Sequence, residues 1–241
     1  MNVEQLNHEF SDKHPREIIG KAIDLFHDKI TLASSLGLED QLLTHYFLDI
    51  DPNASVFVLD TGRLHSETYA VMAETESKYK LKYRLFFPDS TQVQDMVSSQ
   101  GINLFYESIE NRKYCCHIRK VEPLKRALTG MKAWITGMRK DQSITRQDLS
   151  MFSFDDVHGI VKINPLIHWS EDDVRAQITQ HDVPYNALHD QGYPSIGCAP
   201  CTRAINPGDD TRSGRWWWET PDQKECGLHM VDGKLVRKKD S

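Results

Sequence analysis

The cysteines of this sequence are the residues whose types and spacing say most about its chemistry. Cys115 and Cys116 are adjacent, and Cys198 and Cys201 are separated by two residues. Thiolates on adjacent residues do not readily face one small ion, whereas both can bind an iron–sulfur cluster that sits between them. The two pairs together therefore predict one metal site that holds such a cluster.

Three other roles for these cysteines remain open. Zinc often binds four cysteines, but structural zinc sites usually pair ligands two to four residues apart, and only the second pair fits that rule. The second pair alone could be a redox dithiol, although it lacks a thioredoxin-like context and leaves the first pair unexplained. A disulfide framework fits least well, because the chain is long and has five cysteines. The first ten residues carry acids and no apolar core, so we also expect no signal peptide.

The fifth cysteine, Cys226, lies in a polar stretch near the end of the sequence. A neighbouring glycine predicts an exposed thiol, and Lys224 and His229 could favour its thiolate. An exposed cysteine of this kind is a candidate nucleophile. The alternative is a spare thiol with no role.

Basic residues concentrate around both cysteine pairs. They are Arg112, Lys113, Arg119, Lys120, Arg203, Arg212 and Arg215. Such charges usually solvate a surface, but a cluster bound by four thiolates carries net negative charge, which nearby cations would balance. Lys120 follows Cys116 by four residues, which is one turn if that segment is helical.

Composition limits the class of protein. The 241 residues are 39% hydrophobic and 27% charged, which is enough for one domain with a sizeable core, alone or with an appended arm. A net charge of −6 argues against general affinity for nucleic acids. No apolar run approaches the roughly 20 residues that span a bilayer. We expect the reducing cytoplasm, where thiols stay free.

The elements that must position these residues alternate between strand and helix. Apolar runs predict strands over Ile30–Ser34, Ser55–Leu59, Tyr83–Phe87, Ala133–Gly137 and Val157–Ile163. Helical spacing predicts helices over Pro15–His27, Leu38–Asp49, Ser66–Lys80, Thr91–Ser99, Val121–Leu128 and, after a capping box, Ser170–Gln180. This alternation predicts an α/β fold with a mostly parallel sheet and helices on both faces. We predict one such domain over residues 1–210 and a flexible tail over 211–241.

Ligands of open α/β sheets bind at the carboxyl ends of the strands, where three of the predicted turns lie. After the first strand, Ser34 and Ser35 offer hydroxyls and N–H groups that suit a phosphate-like group. After the second, Asp60 could accept a hydrogen bond from an amine or a ribose hydroxyl, and Arg63 could meet an anion. The alternative is that these residues only form turns or solvate the surface.

Assembled, these segments resemble the assimilatory adenylylsulfate reductases, within the adenosine-phosphosulfate and phosphoadenosine-phosphosulfate reductase family. The similarity runs from about Ile30 to His229. Its most specific segments are Lys113-Tyr114-Cys115-Cys116-His117-Ile118-Arg119-Lys120, Gly197-Cys198-Ala199-Pro200-Cys201 and Glu225-Cys226-Gly227-Leu228-His229. Supporting segments are Leu59-Asp60-Thr61-Gly62-Arg63-Leu64 and Gly137-Met138-Arg139-Lys140-Asp141-Gln142-Ser143.

The resemblance implies an adenine-nucleotide α-hydrolase-like fold and a thioredoxin-dependent iron–sulfur enzyme. It implies one 4Fe-4S cluster on Cys115, Cys116, Cys198 and Cys201, with Cys226 as the catalytic nucleophile. The implied substrate is adenosine 5′-phosphosulfate (APS) or its 3′-phosphorylated form (PAPS), and the implied electron donor is thioredoxin or glutaredoxin. We expect a homo-oligomer, with no nucleic-acid or membrane partner.

An anionic thiolate that attacks a sulfur shielded by negative oxygens needs cations nearby. The predicted cations are Lys120, Arg139, Arg146, Arg212 and Arg215, and the other predicted substrate-binding residues are Ser34, Ser35, Asp60, Gly62, Arg63 and His229. The first turn lacks the Ser-Gly-Gly-x-Asp-Ser of ATP-cleaving relatives, which suits a nucleotide whose pyrophosphate is not split. By the resemblance, the cluster cysteines favour APS over PAPS.

Two functions from other classes remain open. An ATP pyrophosphatase of the same fold would release pyrophosphate from ATP, and the atypical first turn argues against it. A non-catalytic iron–sulfur sensor would bind a cluster but make no sulfite, and it leaves Cys226 without a role.

Overall fold

A six-stranded sheet forms the centre of the computed structural model, which describes residues 2–142 and 149–220. Its strands are β1 (Ile30–Ser34), β2 (Ser55–Leu59), β3 (Arg84–Phe86), β4 (Ala133–Ile135), β5 (Phe152–Asp155) and β6 (Ile160–Ile163). They lie in the order β3-β2-β1-β4-β6-β5, and every pair is parallel except β5 with β6. The predicted mostly parallel sheet is confirmed.

The antiparallel strand β5 was not predicted from the sequence, and β6 begins three residues later than expected. Residues between them form a tight turn instead of strand, because Asp155 accepts hydrogen bonds from the backbone N–H of His158 (3.2 Å) and Gly159 (2.7 Å). On the outer side of β5, the Asn7 side chain donates to the carbonyl of Phe152 and accepts from its N–H, both at 2.8 Å. A helix therefore covers this edge of the sheet.

Eight α-helices surround the sheet in the described residues. They are α1 (Val3–Glu9), α2 (Pro15–Phe26), α3 (Leu38–Ile50), α4 (Ser66–Tyr79), α5 (Ser90–Gln100), α6 (Ile109–Cys116), α7 (Glu122–Leu128) and α8 (Glu171–Gln180). A π-helical turn, His117–Val121, joins α6 to α7. The six predicted helices are confirmed to within one or two residues at each end. The capping box is confirmed too, since Ser170 and Asp173 cap the start of α8.

Helices cover both faces of the sheet, as predicted. Val56 and Val58 of β2 point into the main core together with apolar residues of α2, α3 and α8. Phe57, between them, points to the other face and packs with Leu124 and Leu128 of α7. Fully burying a side chain of this kind contributes about 1.5–3 kcal/mol. The alternation along one strand thus fixes helices on two sides.

A further core lies around the cysteines. Its buried members are Met96, Leu104, Phe105, Cys115, Cys116, Ile118, Cys201 and Trp216. Trp216 belongs to the predicted tail but is only 1% exposed, and an isolated bridge pairs Thr202 with Arg215. Residues 211–220 thus pack against the domain, while residues 221–241 lie outside the described residues. No helix in the described ranges is long and apolar enough to cross a bilayer.

Candidate active site: a cleft beside a cysteine cavity

A cleft of about 240 Å³ opens at the carboxyl ends of β1, β2 and β4. The turns that follow these strands contribute Ser34, Ser35, Gly37, Thr61, Thr136, Gly137, Met138 and Arg139 to its lining. A segment from the second half of the chain, including Ser195, Gly197, Arg212 and Arg215, lines the same cleft. The cleft therefore lies at the edge of the sheet where the sequence predicts a ligand site.

A buried carboxylate, Asp40, joins two of these turns. Its Oδ2 accepts from the N–H (2.7 Å) and the hydroxyl (2.6 Å) of Ser35, and its Oδ1 accepts from the N–H of Gly137 (3.1 Å). A Cβ added at Gly137 would lie 2.4 Å from Asp40 Oδ1, so only glycine permits this approach. Burial raises the pKa of Asp40 to about 6 against the effect of these hydrogen bonds. The floor of the cleft is therefore set by backbone contacts to one side chain.

The two predicted serines take part in the same turn. The hydroxyl of Ser35 is bonded to Asp40, and the hydroxyl of Ser34 accepts from the N–H of Leu36 (3.1 Å). Leu36 has a φ of 63°, a left-handed conformation that costs a non-glycine residue about 1–3 kcal/mol. Both serines line the cleft, and their hydroxyls hold its first turn in shape.

The turn after β2 is closed by Asp60. Its Oδ1 accepts from the N–H of Gly62 (2.8 Å) and from the hydroxyl of Tyr69 (2.9 Å), and the side chain is buried. Gly62 has a φ of +70°, which this turn needs. Neither residue is among those that line the cleft. The Asp60 carboxylate therefore stabilises this turn.

Thr61, between them, is the residue of this turn that faces the cleft. Its hydroxyl lies 3.3 Å from the sulfur of Cys198, so it contacts the cysteine region as well. Arg63 points away from the cleft; it lines the cysteine cavity, and its guanidinium donates to the carbonyl of Ile102 (2.7 Å). Thr61 was not a predicted site residue, although it stood inside a quoted segment.

Four of the predicted cations, Lys120, Arg139, Arg212 and Arg215, line the cleft. The buried guanidinium of Arg139 is paired with two carboxylates, Glu39 (2.8 Å) and Asp141 (2.6 Å). These acids offset much of its charge.

The guanidinium of Arg215 contacts the backbone of Ile196 and Gly197. It donates to the carbonyl of Ile196 (3.2 Å), and a Cβ at Gly197 would lie 2.3 Å from its Nη2. Gly197 thus leaves the space through which the guanidinium passes. The predicted residues Arg146, Cys226 and His229 lie outside the described residues.

The structure brings the four cysteines of the two pairs to one small cavity of about 20 Å³. The cavity lies among cations, and its other lining residues are Arg63, Phe105, Arg112, Arg119, Lys120 and Pro200. All four thiols are free of disulfide bonds. Within residues 2–142 and 149–220, no three His, Cys, Asp or Glu side chains are grouped so that they could hold a single metal ion.

Electrostatics differ among these sulfurs. Burial opposes ionisation of Cys198, but the Lys120 ammonium and the Thr61 hydroxyl hold the pKa of that thiol below its usual value. Burial and the charge of Cys198 raise the pKa of Cys201 to about 12. Burial also raises the pKa of Cys115, although Arg119 opposes the effect. Lys120 lines both cavities, so one ammonium faces the cysteines and the cleft.

A buried ion pair links the two cavities through an indole. Arg112 Nε and Nη2 bond to the two carboxylate oxygens of Glu219 at 2.9 and 2.7 Å, and both side chains are almost fully buried. The guanidinium carbon of Arg112 lies 4.6 Å from the ring centre of Trp216, and that of Arg215 lies 4.7 Å from it. Trp216 thus contacts one arginine of each cavity. Sequence reasoning missed Glu219 and Trp216, because the tail shows no periodicity.

Sequence reasoning also missed His189, which lines the cleft and is 7% exposed. Neither ring nitrogen makes a hydrogen bond of normal geometry within the described residues. Burial lowers the pKa of His189, an effect that the nearby Glu39 carboxylate partly opposes. A lone histidine in an irregular segment carries no sequence signal of a role.

Comparisons with known proteins agree with this geometry. The phosphoadenosine phosphosulfate reductase domain model matches residues 29–204. The chain is 53% identical to an adenosine 5′-phosphosulfate reductase of Burkholderia cepacia, over 85% of this chain and 82% of that protein. It is 51% identical to the protein of the same name from Allochromatium vinosum, over 84% of this chain and 79% of that protein. It is 47% identical to the one from Neisseria meningitidis, over 84% of each.

Solved structures lead to the same fold. A phosphoadenylyl-sulfate (PAPS) reductase from Candida auris, in a phosphate complex, has a TM-score of 0.73 and 27% identity, covering 84% of this chain and 96% of that one. An FMN adenylyltransferase from Candida glabrata has a TM-score of 0.56 at 14% identity, covering 80% and 65%, and shares the fold alone. The family resemblance seen in the sequence is confirmed: the chain belongs to the phosphoadenosine phosphosulfate reductase family.

Proposed function

We propose that this chain reduces adenosine 5′-phosphosulfate to sulfite and AMP, with thioredoxin or glutaredoxin as the electron donor. The observation that carries the proposal is the meeting of a cleft at the strand ends with a cavity lined by four cysteines, joined at Lys120. Relatives at 47%, 51% and 53% identity that bear the name adenosine 5′-phosphosulfate reductase support this choice of substrate.

The four cysteines fit a 4Fe-4S cluster as the resident cofactor. Cys115, Cys116, Cys198 and Cys201 line one cavity, and the adjacent positions of Cys115 and Cys116 suit a group larger than a single zinc ion. Burial raises the pKa of Cys115 and Cys201, and a bound cationic metal centre would favour their thiolates. When bound, the cluster would hold the two cysteine segments together and polarise the region beside Lys120.

Cations of the cleft would bind the phosphosulfate. Lys120, Arg212 and Arg215 line the cleft, and their positive charge would offset the negative oxygens that repel an approaching thiolate. Arg139 is already paired with Glu39 and Asp141, which suits a role in shaping the cleft more than one in anion binding. The turns after the strands would seat the nucleoside.

Arg146 and His229 lie outside the described residues and stay predictions as substrate-binding residues. Asp60, Gly62 and Arg63 do not line the cleft, and their roles in substrate binding stay predictions too. If Asp60 and Gly62 act on the substrate, they act through the position of Thr61. Arg63 would act from the cysteine cavity, where its charge faces the sulfurs.

Cys226 would carry the covalent step. Its thiolate attacks the sulfur of APS, the bond from that sulfur to the phosphate oxygen breaks, and AMP leaves with the electron pair. The product is a Cys226 thiosulfonate. A donor thiolate then attacks the Cys226 sulfur, sulfite leaves, and the donor's second thiol resolves the mixed disulfide. Both electrons come from the donor dithiol.

PAPS is the second candidate substrate. The family model bears the name of the 3′-phosphorylated nucleotide, and so does the Candida auris reductase of known structure. The chemistry at sulfur would be the same, so only the 3′-phosphate distinguishes the two activities.

The test of the proposal measures sulfite formation from APS and from PAPS, with one thioredoxin and with protein of known iron content. We expect sulfite from APS, a brown colour and close to four irons per chain, as a 4Fe-4S cluster requires. Pyrophosphate released from ATP would instead identify an ATP pyrophosphatase. Iron without sulfite from either nucleotide would identify a sensor, and colourless protein that contains zinc would reject the cluster.

The covalent step has its own test. Protein incubated with sulfur-labelled APS, without reductant, should retain acid-stable label. The matched variant Cys226→Ser should bind the nucleotide but retain no label. Label at the wild-type level in this variant would reject Cys226 as the nucleophile.

A further inference from the structure

The imidazole of His189 is a buried polar group of the cleft that the proposed mechanism does not use. His189 is 7% exposed and lines the cleft. Neither of its ring nitrogens makes a hydrogen bond of normal geometry in the described part of the chain, and the one polar contact recorded for the ring is with the Tyr193 backbone, which acts to raise its pKa. Buried polar groups normally have a partner, so such a group in a cleft points to a ligand.

The segment that carries this side chain is firmly held. His189 lies in the 3₁₀ turn Ala187–Gln191, and its own N–H donates to the carbonyl of Asn186 (3.0 Å). The Asn186 side chain donates to the hydroxyl of Thr68 in α4 (3.0 Å) and accepts from the N–H of Leu188 (3.1 Å). The imidazole is therefore positioned by its segment before any ligand arrives.

Charges around His189 differ from those at the cysteine end of the cleft. The charged groups that act on it are Glu39 of α3 and Glu171 and Arg175 of α8, and burial keeps the pKa of the imidazole below its usual value. Near pH 7 the ring is then neutral, with one N–H donor and one acceptor nitrogen. A neutral imidazole beside Glu39 suits an uncharged polar group better than an anion.

We propose that His189 hydrogen-bonds the uncharged nucleoside part of the substrate, through a ribose hydroxyl or an adenine nitrogen, and takes no part in binding the phosphosulfate. The inference rests on the proposed function in one respect, namely that the ligand of the cleft is an adenine nucleotide. It assigns His189 a direct contact that sets nucleotide affinity.

The experiment titrates AMP into the full-length protein by calorimetry. His189→Phe keeps the ring's bulk and removes both nitrogens, so its Kd for AMP should rise about tenfold, which corresponds to one lost hydrogen bond of about 1.4 kcal/mol. His189→Gln keeps an amide near the Nε2 position and should recover most of that affinity. The matched control is His65→Phe, since His65 is another partly buried histidine but does not line the cleft. The control should bind AMP as the wild type does.

Nucleotide analogues identify the contact. If His189 meets a ribose hydroxyl, 2′-deoxy-AMP or 3′-deoxy-AMP should bind the wild type about tenfold more weakly than AMP does, with no further loss in His189→Phe. If it meets N1 or the 6-amino group of adenine, inosine 5′-monophosphate should behave in this way instead. In turnover with APS, His189→Phe should raise KM and leave kcat within about twofold, as expected when uniform binding is lost.

Three results would overturn the inference. They are an unchanged Kd for AMP in folded His189→Phe, an equal loss of affinity for inorganic pyrophosphate, and no AMP binding by the wild type. The outcome is separable from that of the proposed function. A His189-dependent Kd in protein that forms no sulfite sustains the inference, whereas sulfite formation with an unchanged Kd rejects the inference alone.

Discussion

The cleft and the cysteine cavity are built in different ways, although they share Lys120. The cleft rests on the ends of three parallel strands, and its floor is fixed by backbone N–H groups that converge on Asp40. None of the described residues that line the cysteine cavity belongs to a strand of the sheet. The cavity is assembled from α6, a π-helical turn and irregular segments that buried side chains such as Arg112 and Glu219 hold together.

This difference implies different sensitivities. A site made by strand ends is supported by the main core, so a single substitution there should alter its shape more than the stability of the protein. A site made by long-range contacts between side chains depends on each of them, because removing one partner leaves a buried charge or donor without compensation. Substitutions in the two regions test that contrast.

Substitutions of single cysteines should distinguish binding of the cofactor from the role of the nucleophile. Cys198→Ser should lose iron and lower the rate of sulfite formation at least about 10³-fold, because one thiolate ligand and the order of the cavity are lost together. Cys226→Ser should lower the rate by at least as much, since it removes the attacking group, and yet keep its full iron content. Iron analysis and a sulfite assay on the two variants check this. Equal iron loss in both would contradict the division of roles.

The buried ion pair should dominate the stability of the cysteine region. Glu219→Ala removes the carboxylate that pairs with the buried Arg112 guanidinium, and we expect a loss of about 3–5 kcal/mol in the free energy of unfolding, measured with urea. The matched control is the exposed pair of Arg16 and Asp49, where Asp49→Ala should cost less than about 1 kcal/mol. Similar costs for the two substitutions would show that the cysteine region does not depend on this pair.

In the cleft, shape should respond more than stability. Gly137→Ala brings a Cβ within 2.4 Å of Asp40 Oδ1, so the turn must shift. We expect a raised KM for APS and a loss of about 1–3 kcal/mol in unfolding free energy. Gly20→Ala, on a helix with no atom within 4 Å of the new Cβ, should instead stabilise the protein by about 0.5–1 kcal/mol. An unchanged KM in Gly137→Ala would show that this contact does not shape the cleft.

Asp40 should also leave a pH signature on stability. Its pKa in the folded protein is raised to about 6 from 3.8, so the folded state binds the proton more tightly than the unfolded state does. Stability from this group is present at low pH and is lost as the pH rises through about 6, with a slope of at most about 1.4 kcal/mol per pH unit. Urea unfolding of the wild type and of Asp40→Asn between pH 4 and 7 checks it. A slope that is the same in both would contradict the assignment.

The sheet and its cleft were largely predictable from the sequence, because their signals are local. Ile30–Ser34 and Ser55–Leu59 are apolar runs bounded by small or polar residues, and the structure places β1 and β2 at those bounds. The parallel alternation then determines which turns share an edge. Pairing of the strands follows from the connections between them, so a cleft at these strand ends could be expected from the sequence.

For the cysteine region, the sequence predicted only that the two cysteine pairs lie together. Helix α6 has no apolar stripe, since Ile109–Cys116 is mostly polar, and Trp216 and Glu219 acquire their roles from partners about one hundred residues away. The roles of Asp40 and His189 depend on burial within the fold, which a single sequence does not display. Local patterns therefore revealed the elements and the cysteine spacing, and contacts distant in sequence decided the rest.

The two hydrogen bonds between the Asn7 side chain and the backbone of Phe152 limit how copies of the chain can associate. The edge strands of a sheet have backbone N–H and C=O groups that no other strand uses. An extended peptide can pair with these groups, which is a common start of aggregation. Here the first helix already satisfies both groups of Phe152, at 2.8 Å each. Another polypeptide could therefore add a strand beside β5 at Phe152 only after α1 had dissociated from it.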